Sequence, residues 1–117
     1  MAISNGISYD EIFTEQLKVF LEAKDLVIGI SGSGNSTNIV KALDFSRKIT
    51  ASTISLSGYN GGRIAEISDI PIVISVKDME IMEDISLVVF HAIKKRILNE
   101  LVGDEIKYGE EYEKRII

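Results

Sequence analysis

Residues 26–37 read Leu26-Val27-Ile28-Gly29-Ile30-Ser31-Gly32-Ser33-Gly34-Asn35-Ser36-Thr37. The first five are a continuous apolar run without alternation, the pattern of a parallel strand buried on both faces. Glycine, serine and asparagine follow, a loop composition. A helical stripe comes next: Ile39, Val40, Ala42 and Leu43, opposite Lys41, Asp44, Arg47 and Lys48. Strand, glycine loop and helix in that order are the front half of a βαβ unit. The loop has two readings. Glycines let the backbone turn and approach a ligand, while the N–H groups and dipole of the next helix favour an anion. Ser31, Ser33, Ser36 and Thr37 add hydroxyl donors. Alternatively, the segment is an ordinary strand-to-helix turn capped by Asn35 or Ser36. No lysine follows the loop, and the glycines at 29, 32 and 34 do not form G-x-G-x-x-G, so it matches neither the nucleotide P-loop nor the dinucleotide fingerprint. A hydroxyl-rich, lysine-free loop suits a phosphate monoester on a small molecule.

Working outward, Ser8-Tyr9-Asp10-Glu11 has the form of a capping box. Tyr9, Ile12, Phe13, Leu17, Phe20 and Leu21 make a helical stripe and predict a helix over 9–23. The central helix is expected over 35–48. Residues 50–56 are rich in β-branched side chains and predict a second strand, closed by Ser55-Leu56-Ser57-Gly58. Gly58-Tyr59-Asn60-Gly61-Gly62 is a turn, and 63–67 a short helix. A third strand is expected over 70–76, with Pro71 near its start, where a missing N–H is tolerated. Asp78 caps a last helix over 79–101, whose buried stripe is Ile81, Ile85, Val88, Val89, Ala92 and Ile93. Residues 104–117 are a charge-dense tail. Alternating helices and strands imply an α/β fold with a parallel sheet of about three strands, and ligands in such sheets bind at the strands' carboxyl ends.

Composition excludes several classes. The 117 residues are 45% hydrophobic and 26% charged with a single proline, unlike a disordered or collagen-like chain. A net charge of −5 argues against direct nucleic-acid partners and against anionic membranes, which attract basic patches. With no cysteine, thiol catalysis, disulfides and zinc–thiolate sites are out, and a cytoplasmic setting is expected. The apolar runs are too short to span a bilayer.

Residues 26–36 also carry a resemblance, to the phosphate-binding stretch of the sugar isomerase (SIS) domain and, within it, to the phosphoheptose isomerase family. Tyr9-Asp10-Glu11-Ile12-Phe13 with Gln16-Leu17 resembles the helix before that loop. Ser55-Leu56-Ser57-Gly58 with Gly61-Gly62 and Ile67-Ser68-Asp69 resembles the next strand and turn, and Met82-Glu83-Asp84-Ile85 through His91 resembles the start of the last helix. The likeness covers roughly residues 2–100. Family members are longer, carrying before this part a section with a further glycine-rich loop and a glutamate taken as the catalytic base. Ala2-Ile3-Ser4-Asn5 looks like the end of their second strand, so the chain resembles the C-terminal part of the domain.

The resemblance implies a three-layer, Rossmann-like SIS fold over residues 1–103, here with an incomplete sheet. It implies that Ser31, Gly32, Ser33, Asn35 and Ser36 hold the phosphate. It makes His91, the only histidine, a general acid/base in aldose–ketose exchange of sedoheptulose 7-phosphate, with Glu83 a second catalytic candidate. On one helix these two stand about 12 Å apart, at ~1.5 Å per residue, and could flank a sugar without bonding each other. Some family members hold zinc, but Ile85 and Ser86 supply no second imidazole, so neither a metal nor another cofactor is expected. An exposed sheet edge and the family's habit imply a homo-oligomer, a dimer or tetramer. The activity stays open between an isomerase working within an oligomer or with a further section, and a non-catalytic sugar-phosphate-binding or self-associating module.

Overall fold

The computed structural model describes residues 8–103. The expectations for residues 2–5 and for the tail at 104–117 lie outside them. The chain divides into two compact units, the first ending at Met82 and the second beginning at Glu83.

The first unit opens with a 3-10 turn, Tyr9–Glu11, that runs into helix α1, Ile12–Phe20. Strand β1 is Leu26–Ser31, helix α2 Thr37–Lys48, strand β2 Ser52–Ser57, helix α3 Gly62–Ile67 and strand β3 Ile70–Val73. Helix α4, Met79–Val102, starts in this unit and carries the described part of the second. The α/β alternation is as the sequence predicts. The strands form one parallel sheet in the order β1-β2-β3, with Leu26 opposite Ser52 and Ile54 opposite Ile70.

Register sorts the side chains. Val27, Gly29 and Ser31 share a face with Thr53, Ser55 and Ser57. Helices α2 and α3 cover it, with Leu43 and Ile64 fully buried beside Ile67, Val27, Ile39 and Val40. Burying a side chain like Leu43 stabilises the fold by roughly 1.5–3 kcal/mol. The same face of β2 is hydroxyl-rich; Thr53 and Ser55 are paired, while the buried Ser57 Oγ has no partner among the described residues. The Asp69 carboxylate accepts from Thr53 N at 2.8 Å and Thr53 Oγ1 at 3.1 Å, and the hydroxyls of Ser55 and Ser68 lie 2.6 Å apart.

Four expectations need correction. β1 is not buried on both faces: Leu26, Ile28 and Ile30 are 54%, 40% and 47% exposed, on the sheet's edge strand. A continuous apolar run reveals what a strand could bury, not whether a layer covers it. The stripe of α1 is likewise only partly used, since Ile12 is buried but Tyr9, Phe13 and Phe20 are exposed. The capping box does not form. Ser8 Oγ accepts from Asp10 N at 3.1 Å, and the Glu11 carboxylate turns instead to Lys41 at 2.6 Å. On α4, Ile81 and Val88 of the expected buried stripe are exposed. Its cap is as expected, Asp78 Oδ1 accepting from Glu80 N at 2.9 Å and Ile81 N at 3.1 Å.

Candidate functional site

A cleft of about 860 Å³ opens at the carboxyl ends of the strands, within the first unit. Its lining comes from the loops that follow β1, β2 and β3: Gly32, Ser33, Asn35 and Ser36; Tyr59 and Asn60; Ser75, Val76, Lys77 and Met79. The volume lies in the range of small-molecule sites.

Backbone bonds stitch the three loops together. Gly58 N donates to Gly32 O at 2.9 Å, and Tyr59 N to Val76 O at 3.0 Å. Ile64 N donates to Gly34 O at 2.9 Å, tying the first loop to α3. Two glycines make this approach possible. Gly34 has φ +77° and Gly62 φ +62°, and each lies where a Cβ would strike the other's loop.

The five predicted loop residues divide by role. Ser31 is buried and faces inward: its Oγ accepts from Gly34 N at 3.1 Å and lies 2.9 Å from Ser36 Oγ. It braces the loop and does not line the cleft. Asn35 also braces, its Oδ1 accepting from Arg63 N at 2.8 Å, while its own N donates to Ser33 Oγ at 3.1 Å. Ser33 and Ser36 line the cleft with hydroxyls, and Gly32 with backbone. Ser36 is the N-cap residue of α2, yet its side chain makes no cap bond. Ile39 N donates to Asn38 Oδ1 at 2.9 Å, while the Ser36 hydroxyl leaves the N–H groups of Thr37 and Asn38 uncapped at the positive end of the dipole. Arg63 is exposed and bonds Glu66 at 3.0 Å.

Glu83 and His91 belong to the second unit and are exposed on α4. Among the described residues no three His, Cys, Asp or Glu side chains gather as a metal site. Among the described residues lining the cleft, Lys77 and Tyr59 are ionisable.

Ser75, Val76 and Lys77 line the cleft although the sequence places 75 and 76 in the third strand: pairing ends at Val73, and Val76 N turns back to Ile74 O at 2.7 Å. The signal was available: the carboxyl-end rule applies to the third strand as much as to the first two.

No family model matches the chain. The phosphoheptose isomerase of Aliarcobacter butzleri is 39% identical over 100 residues, covering 86% of this chain and 53% of that protein. The phosphoheptose isomerase of Trichlorobacter lovleyi is 37% identical over 102 residues, covering 87% and 52%. Among solved structures, the phosphoheptose isomerase of Neisseria gonorrhoeae superposes with a TM-score of 0.75 at 29% identity, over 78% of this chain and 52% of that one. The chain thus spans about half the length of the curated relatives it matches. In sequence and in fold the chain is similar to the phosphoheptose isomerases, over about half of their length.

Proposed function

We propose that the cleft binds the phosphate of a phosphorylated sugar and that the chain serves aldose–ketose isomerisation of sedoheptulose 7-phosphate. One observation carries the reading: the hydroxyls of Ser33 and Ser36 and the backbone of Gly32 meet the start of α2, whose N-cap Ser36 makes no side-chain cap bond, in a cleft of about 860 Å³. Neutral donors and a helix N-terminus suit a phosphate. Similarity to phosphoheptose isomerases supports the sugar. Held by its phosphate, a ketose would have its reacting carbons positioned for proton transfer. His91 is the general acid/base by resemblance and Glu83 a second candidate; no cofactor takes part. Imidazole suits the task because its ordinary pKa lies near neutrality.

Among the described residues the cleft's lining contains no carboxylate and no imidazole, which favours a second reading, a module that binds sugar phosphate without turning it over. Turnover in the first reading draws on a further section or a second copy for its base. The exposed Leu26, Ile28 and Ile30 on an edge strand support self-association. Among the described residues no helix is long and apolar enough to cross a membrane, and a cytoplasmic setting goes with this reading.

The test is thermal stability with sedoheptulose 7-phosphate against unphosphorylated sedoheptulose. At a hundred times its dissociation constant a ligand stabilises the fold by roughly 2.7 kcal/mol. A shift with the ester alone, abolished in Ser33→Ala, is the expected result. No shift at millimolar ester would overturn the reading. An isomerase assay on the same sample separates turnover from binding.

A further inference from the structure

We propose that Lys77 is the phosphate's counter-charge, closing over the anion from the side of the cleft opposite the serine loop. The proposal rests on the phosphosugar reading of the cleft and adds a residue from the third strand's loop to it.

Ser33 and Ser36, and the N–H groups at the start of α2, are neutral donors. A phosphate monoester brings between one and two negative charges near neutral pH, into a chain whose own net charge is −5. Neutral hydrogen bonds orient such an anion but do not balance it. Among the described residues Lys77 is the one cationic side chain lining the cleft. It is exposed and enters no ion pair among the described residues. Its neighbour Asp78 is engaged elsewhere, its carboxylate accepting from two N–H groups at the start of α4.

Geometry places the charge suitably. Lys77 follows β3 and the serine loop follows β1, with β2 between them. Two strand spacings separate the loops' origins, roughly 9–10 Å at ~4.8 Å per spacing. Lysine's flexible four-carbon stem delivers a compact point charge across much of such a gap. Its backbone is not free to drift: Val76 O accepts from Tyr59 N at 3.0 Å and Ser75 Oγ donates to Tyr59 O at 3.2 Å. An anchored backbone with a mobile charged tip suits a lysine that folds onto an anion after it docks.

Calorimetric titration of the full chain tests this with sedoheptulose 7-phosphate, inorganic phosphate and unphosphorylated sedoheptulose as probes. The variants are Lys77→Met, Lys77→Arg and Ser33→Ala, each checked for an unchanged melting profile. Lys77→Met is expected to weaken both phosphate probes roughly tenfold, as for loss of a charge-assisted bond. It also flattens the dependence of affinity on salt, while Lys77→Arg retains most of the affinity. Ester binding unchanged in Lys77→Met but lost in Ser33→Ala overturns the role of Lys77 and leaves the cleft reading standing. Equal weakening of the sugar with and without phosphate overturns the counter-charge role in favour of a sugar contact. No binding of either phosphate probe to the unaltered chain overturns both. Should Lys77→Met melt differently, Lys77→Gln with the same salt series decides.

Discussion

Gly34 and Gly62 stand backbone to backbone. A Cβ on Gly34 would lie 2.9 Å from Gly62 Cα and overlap the Gly61 carbonyl oxygen, and one on Gly62 would lie 2.6 Å from the Gly34 carbonyl carbon. Both residues also have positive φ, which a side chain resists. Gly34→Ala or Gly62→Ala therefore meets backbone, which cannot swing aside as a side chain can. Each is expected to cost more than ~2 kcal/mol, read as a lowered urea midpoint. Unchanged midpoints would mean the loops are not pressed together in solution.

Ser31 and Ser33 are two residues apart in one loop and have opposite duties. Ser31→Ala removes one of the two acceptors of Gly34 N, leaving Ser31 O, and the buried partner of Ser36 Oγ, for an expected loss of about 1 kcal/mol of stability. Ser33 is exposed, so Ser33→Ala should leave the urea midpoint nearly unchanged while weakening phosphate-ester binding. The reverse pattern would exchange their roles.

Thr50 holds φ +64° just past the end of α2. Thr50 N donates to Arg47 O at 2.9 Å and Ala51 N to Ser46 O at 3.0 Å, the bond pair of a Schellman motif. Glycine is the usual residue there, and a β-branched one is strained. Thr50→Gly is expected to stabilise the fold by about 1 kcal/mol, a rise in Tm of roughly 4–8 °C for a domain of this size. A lower Tm would show that the bond from Thr50 Oγ1 to Ile49 O, at 2.6 Å, outweighs the strain.

Lys41 Nζ donates to Glu11 Oε1 at 2.6 Å. That bond holds the Glu11 carboxyl below its ordinary 4.5 and the Lys41 amine above its ordinary 10.5. A carboxyl lowered on folding supports the fold above its unfolded value, and the support is lost as pH falls through the folded one. A raised amine supports the fold below its unfolded value, and loses that as pH climbs through the folded one. The pair is thus fully effective between 4.5 and 10.5. Both side chains are partly exposed, so the contribution is small and sensitive to salt. Stability curves of the unaltered chain and Glu11→Gln should differ at neutral pH and draw together in acid; a constant gap would exclude the pair as cause.

Ile28 and Ile30 lie on the open face of β1, and Phe20, Leu21, Leu26 and Ile28 share a shallow groove beside it. Replacing Ile28 or Ile30 by Lys should reduce self-association in sedimentation while costing little folded stability. Unchanged sedimentation in both variants would place the contact elsewhere.

The serine loop and the order of helices and strands were legible in the sequence because local composition decides them: an apolar run, glycines, then a stripe at helical spacing. What lay hidden depends on tertiary context. Ile28 and Ile30 look like interior residues whether or not a layer covers them. Residues 72–76 keep strand composition past Val73, where pairing stops, and this concealed the loop that brings Ser75 and Lys77 to the cleft. Ser31 and Ser33 are alike in composition, and only the end of β1 at Ser31 separates them, the last strand residue facing inward and the loop after it carrying Ser33 to the cleft.

The bonds joining the three loops at the cleft, Gly58 N to Gly32 O and Tyr59 N to Val76 O, run from main chain to main chain. Any residue other than proline can donate such a bond, and every residue can accept one. These bonds therefore survive exchange of the Lys77 side chain, whereas Ser75 and Asn60 also bond through their side chains, to Tyr59 O and Gly62 N. Side chains that only line the cleft can thus change one at a time without first rebuilding the frame that holds them.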